Sequence, residues 1–423
     1  MRKTFRNLLA ASLIVGTLTF APVIYNAENF SVVRAEVKMY TAMGVDYGNE
    51  YESQEIVKLR ARDKAIKNAT KQAGVYLRTY SRTINSELTD DEILAITSNT
   101  YEVVGEVRYN RTLKQVTDQI TLIVWEATVD VNVDDSEIRN WYELKPEDRS
   151  SIISQTRESQ VAAAENDSKV EDLRQRSQNV SDDAGRAQLQ AEFKTADNEF
   201  LSNQKVEEAT RAAYNENTDE TLKLLTEAIE LNPQNAVAYN YRGSLRNGKA
   251  LVKILVDKKV SEGEKLRKEA IADLNRAIQL KSDYSEAYGN RGFTYFMAKN
   301  YSQAITDYNR AIALDPNKAQ NYIYRSLYWR QFAKDNNRGL ADLNKAIEVE
   351  PNNAHAYMNR ASFYELDLKD YNAAIADYTR AIELGEHEKS FKPLLPWTYR
   401  KRGECYKAIG DNAKAQADFA KAK

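Results

Sequence analysis

Hydrophobic and polar positions change period several times along this chain. Over residues 37–45, Val37, Met39, Thr41, Met43 and Val45 alternate with Lys38, Tyr40 and Ala42, which predicts a strand. Gly44, Gly48 and Asn49 break it. From Ser53 to about Tyr80 the spacing becomes helical, with Ile56, Leu59, Ile66, Ala69, Ala73 and Leu77 as the apolar stripe. Thr89-Asp90-Asp91-Glu92 has the form of a capping box. It opens a short helix whose buried side holds Ile93, Leu94 and Ile96. Two strands follow. The first covers 102–115. In the second, Ile123, Trp125, Ala127, Val129, Val131 and Val133 face one way and Glu126, Thr128, Asp130 and Asn132 the other. Thr117-Asp118-Gln119 is the turn between them. The order strand, helix, helix, strand, strand predicts an α+β domain over 36–145, its sheet covered by helices on one face.

Residues 146–203 are rich in Ser, Gln, Asp, Glu, Lys and Arg, with little apolar periodicity beyond Ile152, Ile153, Val161 and Leu173. They predict a polar connector, part helix and part linker. The rest of the chain, 204–423, repeats. Residues 304–316 read AITDYNRAIALDP, and close copies begin at Ala270, Gly339, Ala374 and Ala415, with a weaker one at Thr221. The starts at 270, 304, 339, 374 and 415 lie 34, 35, 35 and 41 residues apart. A fixed period of this size means stacked supersecondary units. A second block precedes each strong copy, as in AYGNRGFTY from Ala287, so every unit is a pair of helices. Tyr288, Gly292 and Tyr295 share a face of one helix, and Ala304, Tyr308 and Ala311 a face of the next. Between Gly243 and Ala270 lie 27 positions where Gly292 to Ala304 has 12. Ala250, Leu251, Ile254 and Leu255, then Leu266 and Ile271, keep helical spacing through that insertion, which predicts a lengthened hairpin.

The pattern Tyr288, Gly292, Tyr295, Ala304, Tyr308, Ala311, Pro316 resembles the tetratricopeptide repeat. That resemblance implies that the α+β amino-terminal domain is followed by an all-α superhelical solenoid of about six hairpins. It further implies a concave face that binds protein or peptide. The groove would then draw on Val237, Asn240, Ser244, Phe293, Phe296, Ile323, Leu327, Arg330, His355, Met358, Ser362 and Trp397. Phe293, Phe296, Ile323 and Leu327 fall outside the packing positions of the repeat and are expected to be exposed there. The helix Ala61–Leu77, the segment Glu87–Ile93 and the closing strand resemble the small domain of flagellar assembly protein T and related short envelope lipoproteins. This second resemblance implies an envelope location and a role in assembly or at the surface.

Each strong unit also carries one arginine and one aspartate at fixed places: Arg242 with Asp273, Arg291 with Asp307, Arg325 with Asp342, Arg360 with Asp377, Arg402 with Asp418. Recurrence of both partners predicts structural pairs at the repeat interfaces. The alternative is a basic strip for an acidic peptide. Asn290 and Asn359 precede two of these arginines, as in carboxylate-clamp members of the family, but Gly289 and Met358 stand where the clamp needs lysine.

Composition adds the compartment and removes chemistry. Arg2, Lys3 and Arg6 precede the apolar run 8–25, and Val33-Arg34-Ala35 or Thr19-Phe20-Ala21 would serve for cleavage. Residues 1–35 therefore read as a secretory signal, with an uncleaved anchor as the alternative. No cysteine follows the run, so an exported protein that is not a lipoprotein is expected, periplasmic or secreted. Charge is balanced, with a net of −2, so nucleic acid is not an expected partner. Cys405 is the single cysteine and sits among packing positions, and the two histidines, His355 and His387, form no metal-ligand spacing. No phosphate-binding loop, dinucleotide turn or nucleophile elbow occurs. No cofactor, no metal and no catalysis are expected. The chain reads as an envelope scaffold or adaptor. A cell-wall or carbohydrate-associated accessory role, suggested by 26 tyrosines, is the alternative, as is carriage of peptides in assembly of a surface structure.

Overall fold

The computed structural model describes residues 37–422 except 84–87, 118–119, 135–136, 139–140, 142–145, 181, 216, 387–390 and 392–393. The leader at 1–35, the turn residues Asp118 and Gln119, and His387 lie outside the described residues. The chain divides into two units. One holds the described residues up to Trp141 together with Asp148–Val237, the other Ala238 onward.

In the first unit, β1 (Val37–Gly48), β3 (Ile120–Asp134) and β2 (Glu102–Thr117) form an antiparallel sheet in the order β1-β3-β2. Helix α1 (Gln54–Thr83) covers one face and α2 (Asp90–Asn99) packs beside it. The capping box of α2 is complete: the Glu92 amide donates to Thr89 Oγ1 at 3.2 Å and the Thr89 amide to Glu92 Oε2 at 2.9 Å. Ala127, Val129, Val131 and Val133 of β3 point at α1 and are buried. On β1 the apolar alternation runs the opposite way. Ala42, Gly44 and Asp46 face the helix, while Val37, Met39, Met43 and Val45 are 41–63% exposed. The cause is closeness. A Cβ on Gly44 would lie 2.3 Å from the Ala61 carbonyl oxygen. Only small residues admit a helix this near, and α1 answers with Ala61, Ala65, Ala69 and Ala73, all fully buried. Strand alternation then sends the larger residues of β1 to the other side.

The segment expected to be a connector is instead two long helices of this unit, α3 (Pro146–Ser177) and α4 (Asp183–Tyr214). They join through Val170, Leu173, Leu189, Phe193 and Ala196. What ties them to the sheet is polar. Arg174 of α3 donates to Glu52 twice at 2.9 Å and to Asp46 of β1 at 3.3 Å. Arg60 of α1 reaches Glu52 at 3.2 Å and Asp197 of α4 at 2.9 Å. All five side chains are buried, and burial pushes the Asp197 carboxyl up to about 6 against the pull of Arg60. A buried set of opposite charges leaves few apolar residues for a periodicity reading to find. Helix α4 also runs without a break through the expected boundary at 203, and its second half pairs with α5 (Thr218–Leu231). The hairpin counted as the first of six thus belongs to the amino-terminal unit.

The second unit is an array of five hairpins: α6 (Ala236–Leu255) with α7 (Val260–Leu280), α8 (Ser285–Met297) with α9 (Tyr301–Leu314), α10 (Ala319–Tyr328) with α11 (Asn336–Val349), α12 (Ala354–Phe363) with α13 (Tyr371–Gly385), and α14 (Leu395–Ala408) with α15 (Asn412–Lys421). The insertion lengthens both helices of the first hairpin, to 20 and 21 residues. Its basic side chains are partly answered within the hairpin: Lys253 meets Asp257 at 2.9 Å and Arg267 meets Glu264 at 2.6 Å. Helices α10 and α12 end in π-helical turns, Trp329–Ala333 and Tyr364–Leu368.

The turn inside each hairpin has one design. The first helix closes on a left-handed residue, Lys258, Lys299, Lys334, Lys369 or Gly410, with φ of 60°, 62°, 57°, 58° and 87°. In the last four, the next residue caps the second helix, as Asp335 does by accepting from the Arg338 amide at 3.0 Å. Lysine is strained in this conformation and glycine is not. Lys334→Gly and Lys369→Gly, both exposed, are each expected to raise the unfolding free energy by roughly 0.5–1 kcal/mol in urea titration, and Gly410→Ala to lower it by about 1 kcal/mol. A loss of stability in the two lysine variants would refute the strain.

Candidate binding surface of the hairpin array

Within a hairpin the two helices meet at small residues. A Cβ on Gly292 would lie 2.9 Å from the ring of Tyr308, and one on Gly403 2.8 Å from Phe419. Ala304 and Ala311 are fully buried beside Tyr308. The arginines lie one residue before these contacts and are held the same way each time. Nε and Nη2 donate to the two carboxylate oxygens of the aspartate in the same hairpin: Arg242–Asp273 at 3.0 and 2.8 Å, Arg291–Asp307 at 2.8 and 2.7 Å, Arg325–Asp342 at 2.9 and 2.7 Å, Arg360–Asp377 at 2.7 and 2.8 Å, Arg402–Asp418 at 2.8 and 2.8 Å. A tyrosine three residues before each arginine lies under its guanidinium: Tyr239, Tyr288, Tyr322, Tyr357 and Tyr399.

The remaining nitrogen reaches backward. Nη1 of Arg291, Arg325 and Arg360 donates at 2.8 Å to Asn275, Asn309 and Asn344, and that of Arg402 at 3.0 Å to Thr379. Each acceptor belongs to the second helix of the preceding hairpin. One guanidinium therefore closes its own hairpin and fastens it to the one before. Sequence reasoning missed these acceptors, although each stands two positions after a repeat aspartate, in Asp-Leu-Asn, Asp-Tyr-Asn and Asp-Tyr-Thr. The aspartates are only 4–9% exposed. In the four hairpins that have a predecessor in the array, every guanidinium nitrogen is engaged inside the array, which argues against a basic strip for an acidic peptide.

The expected groove residues separate by burial. Phe296, Ile323 and Met358 are 5%, 3% and 3% exposed, which corrects the exposure expected of Phe296 and Ile323. The reason is packing between helices, across the seam between hairpins for Ile323 and Met358 and inside its own hairpin for Phe296. Ile323 packs with Leu343, Ala356 and Phe363, Met358 with Ala361, Phe391 and Leu394, and Phe296 beside Tyr308. Asn240 is buried as well, donating to Tyr284 at 3.1 Å and accepting from Asn290 at 3.0 Å. Ser362 is buried and receives Arg330 at 3.2 Å, while Arg330 also meets Asp367 at 2.6 Å. Val237, Phe293, Leu327, Arg330, His355 and Trp397 are half-buried and Ser244 is exposed. His355 sits edge-on to Phe391, and Trp397 edge-on to Tyr378. Glu365 of the second π-helical turn, buried, accepts from Lys401 at 2.9 Å and Tyr378 at 2.7 Å.

An aromatic surface lies where α8, α9 and α10 meet. Phe293 stacks on Tyr324 with ring centres 4.5 Å apart. Phe332, in the first π-helical turn, lies 4.8 Å from Tyr301 and 5.5 Å from Tyr328 and is 54% exposed. Leu327 completes the cluster. Of these residues the sequence reading named Phe293 and Leu327. Tyr301, Tyr324 and Tyr328 escaped it because tyrosine recurs throughout the packing positions, and Phe332 because it stands in a π-helical turn.

Among the described residues no group of three or more His, Cys, Asp or Glu side chains is placed to hold a metal ion. Cys405 is fully buried, and burial pushes its thiol up to about 12.

Residues 285–318 and 354–386 match the family model of the tetratricopeptide repeat. These hairpins are tetratricopeptide repeats, and such hairpins form a scaffold for binding protein. Solved structures similar to it include MamA, 21% identical over 42% of this chain and 94% of that one, TM-score 0.33. PilF of Pseudomonas aeruginosa is 16% identical over 52% and 90%, TM-score 0.41. YrrB, described as a repeat protein with an unusual peptide-binding site, is 18% identical over 47% and 90%, TM-score 0.33. No curated protein matches the chain.

Arg291→Ala is expected to cost about 3 kcal/mol or more in equilibrium unfolding, because Asp307 would be left buried and unpaired. A cost below about 1 kcal/mol, the value for an exposed pair, would contradict the staple.

Proposed function

We propose that this protein is an exported, non-catalytic adaptor that holds an extended segment of another protein against Phe293, Tyr324, Leu327, Tyr328 and Phe332. The observation that carries the reading is a division of labour in the array. Its arginines and aspartates are committed to one another, while this cluster keeps half-exposed rings and one ring 54% exposed. Contiguous apolar surface of this kind marks a binding site. Rigid rings also give contact area at low entropic cost. Charge supports a peptide whose recognition is apolar: Arg330 beside the cluster is already paired with Asp367. Export rests on the basic and apolar run at the amino-terminus.

The test compares wild type with Phe332→Ala/Leu327→Ala for capture of protein from an envelope extract, with sedimentation on purified cell wall alongside. Wild type is expected to retain a protein that the variant loses, with the fold kept, since Phe332 is exposed and Leu327 only half-buried, as circular dichroism of the variant checks. The intact mass of the exported form should begin at Glu36 or Pro22. Sedimentation with cell wall and no protein captured would favour the accessory role. Equal capture by the variant would move the site elsewhere.

A further inference from the structure

The sheet of the amino-terminal unit has two edges, and they are built differently. The outer strand β2 is bulged between Val104 and Arg108, has Gly105 at a φ of +71°, and carries Arg108, Arg111 and Lys114. Bulges and charges are the ordinary means of stopping an edge from pairing. Strand β1, at the other edge, is twelve residues long and pairs with β3 without interruption. Its open face carries Val37, Met39, Met43 and Val45, exposed by 56%, 63%, 53% and 41%. Asn68 of α1 donates to the Met43 carbonyl at 2.9 Å. That carbonyl therefore turns away from β3, and by the alternation of strand geometry so do those of Met39, Thr41 and Val45.

We propose that β1 pairs antiparallel with β1 of a second copy of this chain, joining two three-stranded sheets into one of six strands. The strand is complementary to itself. With Ala42 on the twofold axis, Met39 lies opposite Val45 of the second copy and Thr41 opposite Met43. Apolar residues then meet on the open face and the outward backbone groups meet one another, the Met43 carbonyl exchanging its bond from Asn68 for one from the Thr41 amide of the second copy. A twofold axis normal to the sheet keeps both copies of α1 on one face, where Val75, 68% exposed, flanks the cleft between β1 and α1. At its carboxyl end the strand is held by α3, Arg174 donating to Asp46 and Tyr47 to Glu171, so the edge offered for pairing is Val37–Val45, about 30 Å of extended chain. An edge of that length, with a helix layer behind it, can approach the roughly 1,200 Å² at which stable interfaces begin.

Sedimentation equilibrium of the full chain tests this with Met39→Lys, Val45→Glu and the double variant. Both side chains are exposed on the monomer, and circular dichroism checks that each variant folds. Wild type should be dimeric. Each single variant should weaken the dimer about tenfold or more, since each change is made twice across the twofold axis. The double variant sets the introduced ammonium of one copy opposite the introduced carboxylate of the other. It should return to within about threefold of wild type. A monomeric wild type, whether the edge is free or covered by residues 1–36 or by another protein, would overturn the proposal. So would single variants that associate as wild type does, or a double variant no tighter than the weaker single.

Discussion

A helical hairpin cannot bury its own apolar faces, and stacking leaves its polar seams to be matched. In this array the match that recurs is made by one arginine per hairpin. A guanidinium is planar, always charged and offers donors in fixed directions. Two of those directions fit the aspartate on the partner helix, and a third fits an asparagine or threonine on the hairpin before. Register within a hairpin and register between hairpins are thereby set by the same group. The glycines and alanines beside it have a related role: they bring the backbones close enough for Tyr308 and its equivalents to fill the remaining space.

The amino-terminal unit solves the same problem with a different arrangement. Arg60 and Arg174 meet Asp46, Glu52 and Asp197 in a buried cluster that spans a strand, a turn and three helices. Such a cluster is poor evidence for net stability but strong specification of geometry, since removing one member leaves a buried charge unpaired. It holds α3 and α4 against the sheet where an apolar face would ordinarily serve.

That difference decides what could be read from the chain. The repeats were legible because Tyr288, Gly292, Ala304, Tyr308 and Ala311 return at a nearly constant period, and the arginines and aspartates return with them. The lengthened hairpin was legible because Ala250, Leu251, Ile254 and Leu255 keep helical spacing. Residues 146–203 were not, because their contacts are charged and lie far away in sequence: Arg174 meets Asp46 across 128 positions. The face of β1 was misjudged because small residues, not large ones, are what α1 requires beneath it. In the candidate site, Ile323 and Met358 look like groove residues by position, yet the seam between hairpins absorbs them. Phe332 could not be placed, since its exposure depends on a π-helical turn that the local sequence does not announce.

The central claim is that Arg291, Arg325, Arg360 and Arg402 each couple neighbouring hairpins rather than serving their own hairpin alone. A double-mutant cycle between Arg325 and Asn309, read by equilibrium unfolding, addresses it directly. The two residues are joined by the 2.8 Å bond across the seam. A coupling energy of about 1 kcal/mol or more between Arg325→Lys and Asn309→Ala is predicted. Additivity within about 0.3 kcal/mol would show that the arginine acts inside its own hairpin and that the seam is held by other contacts.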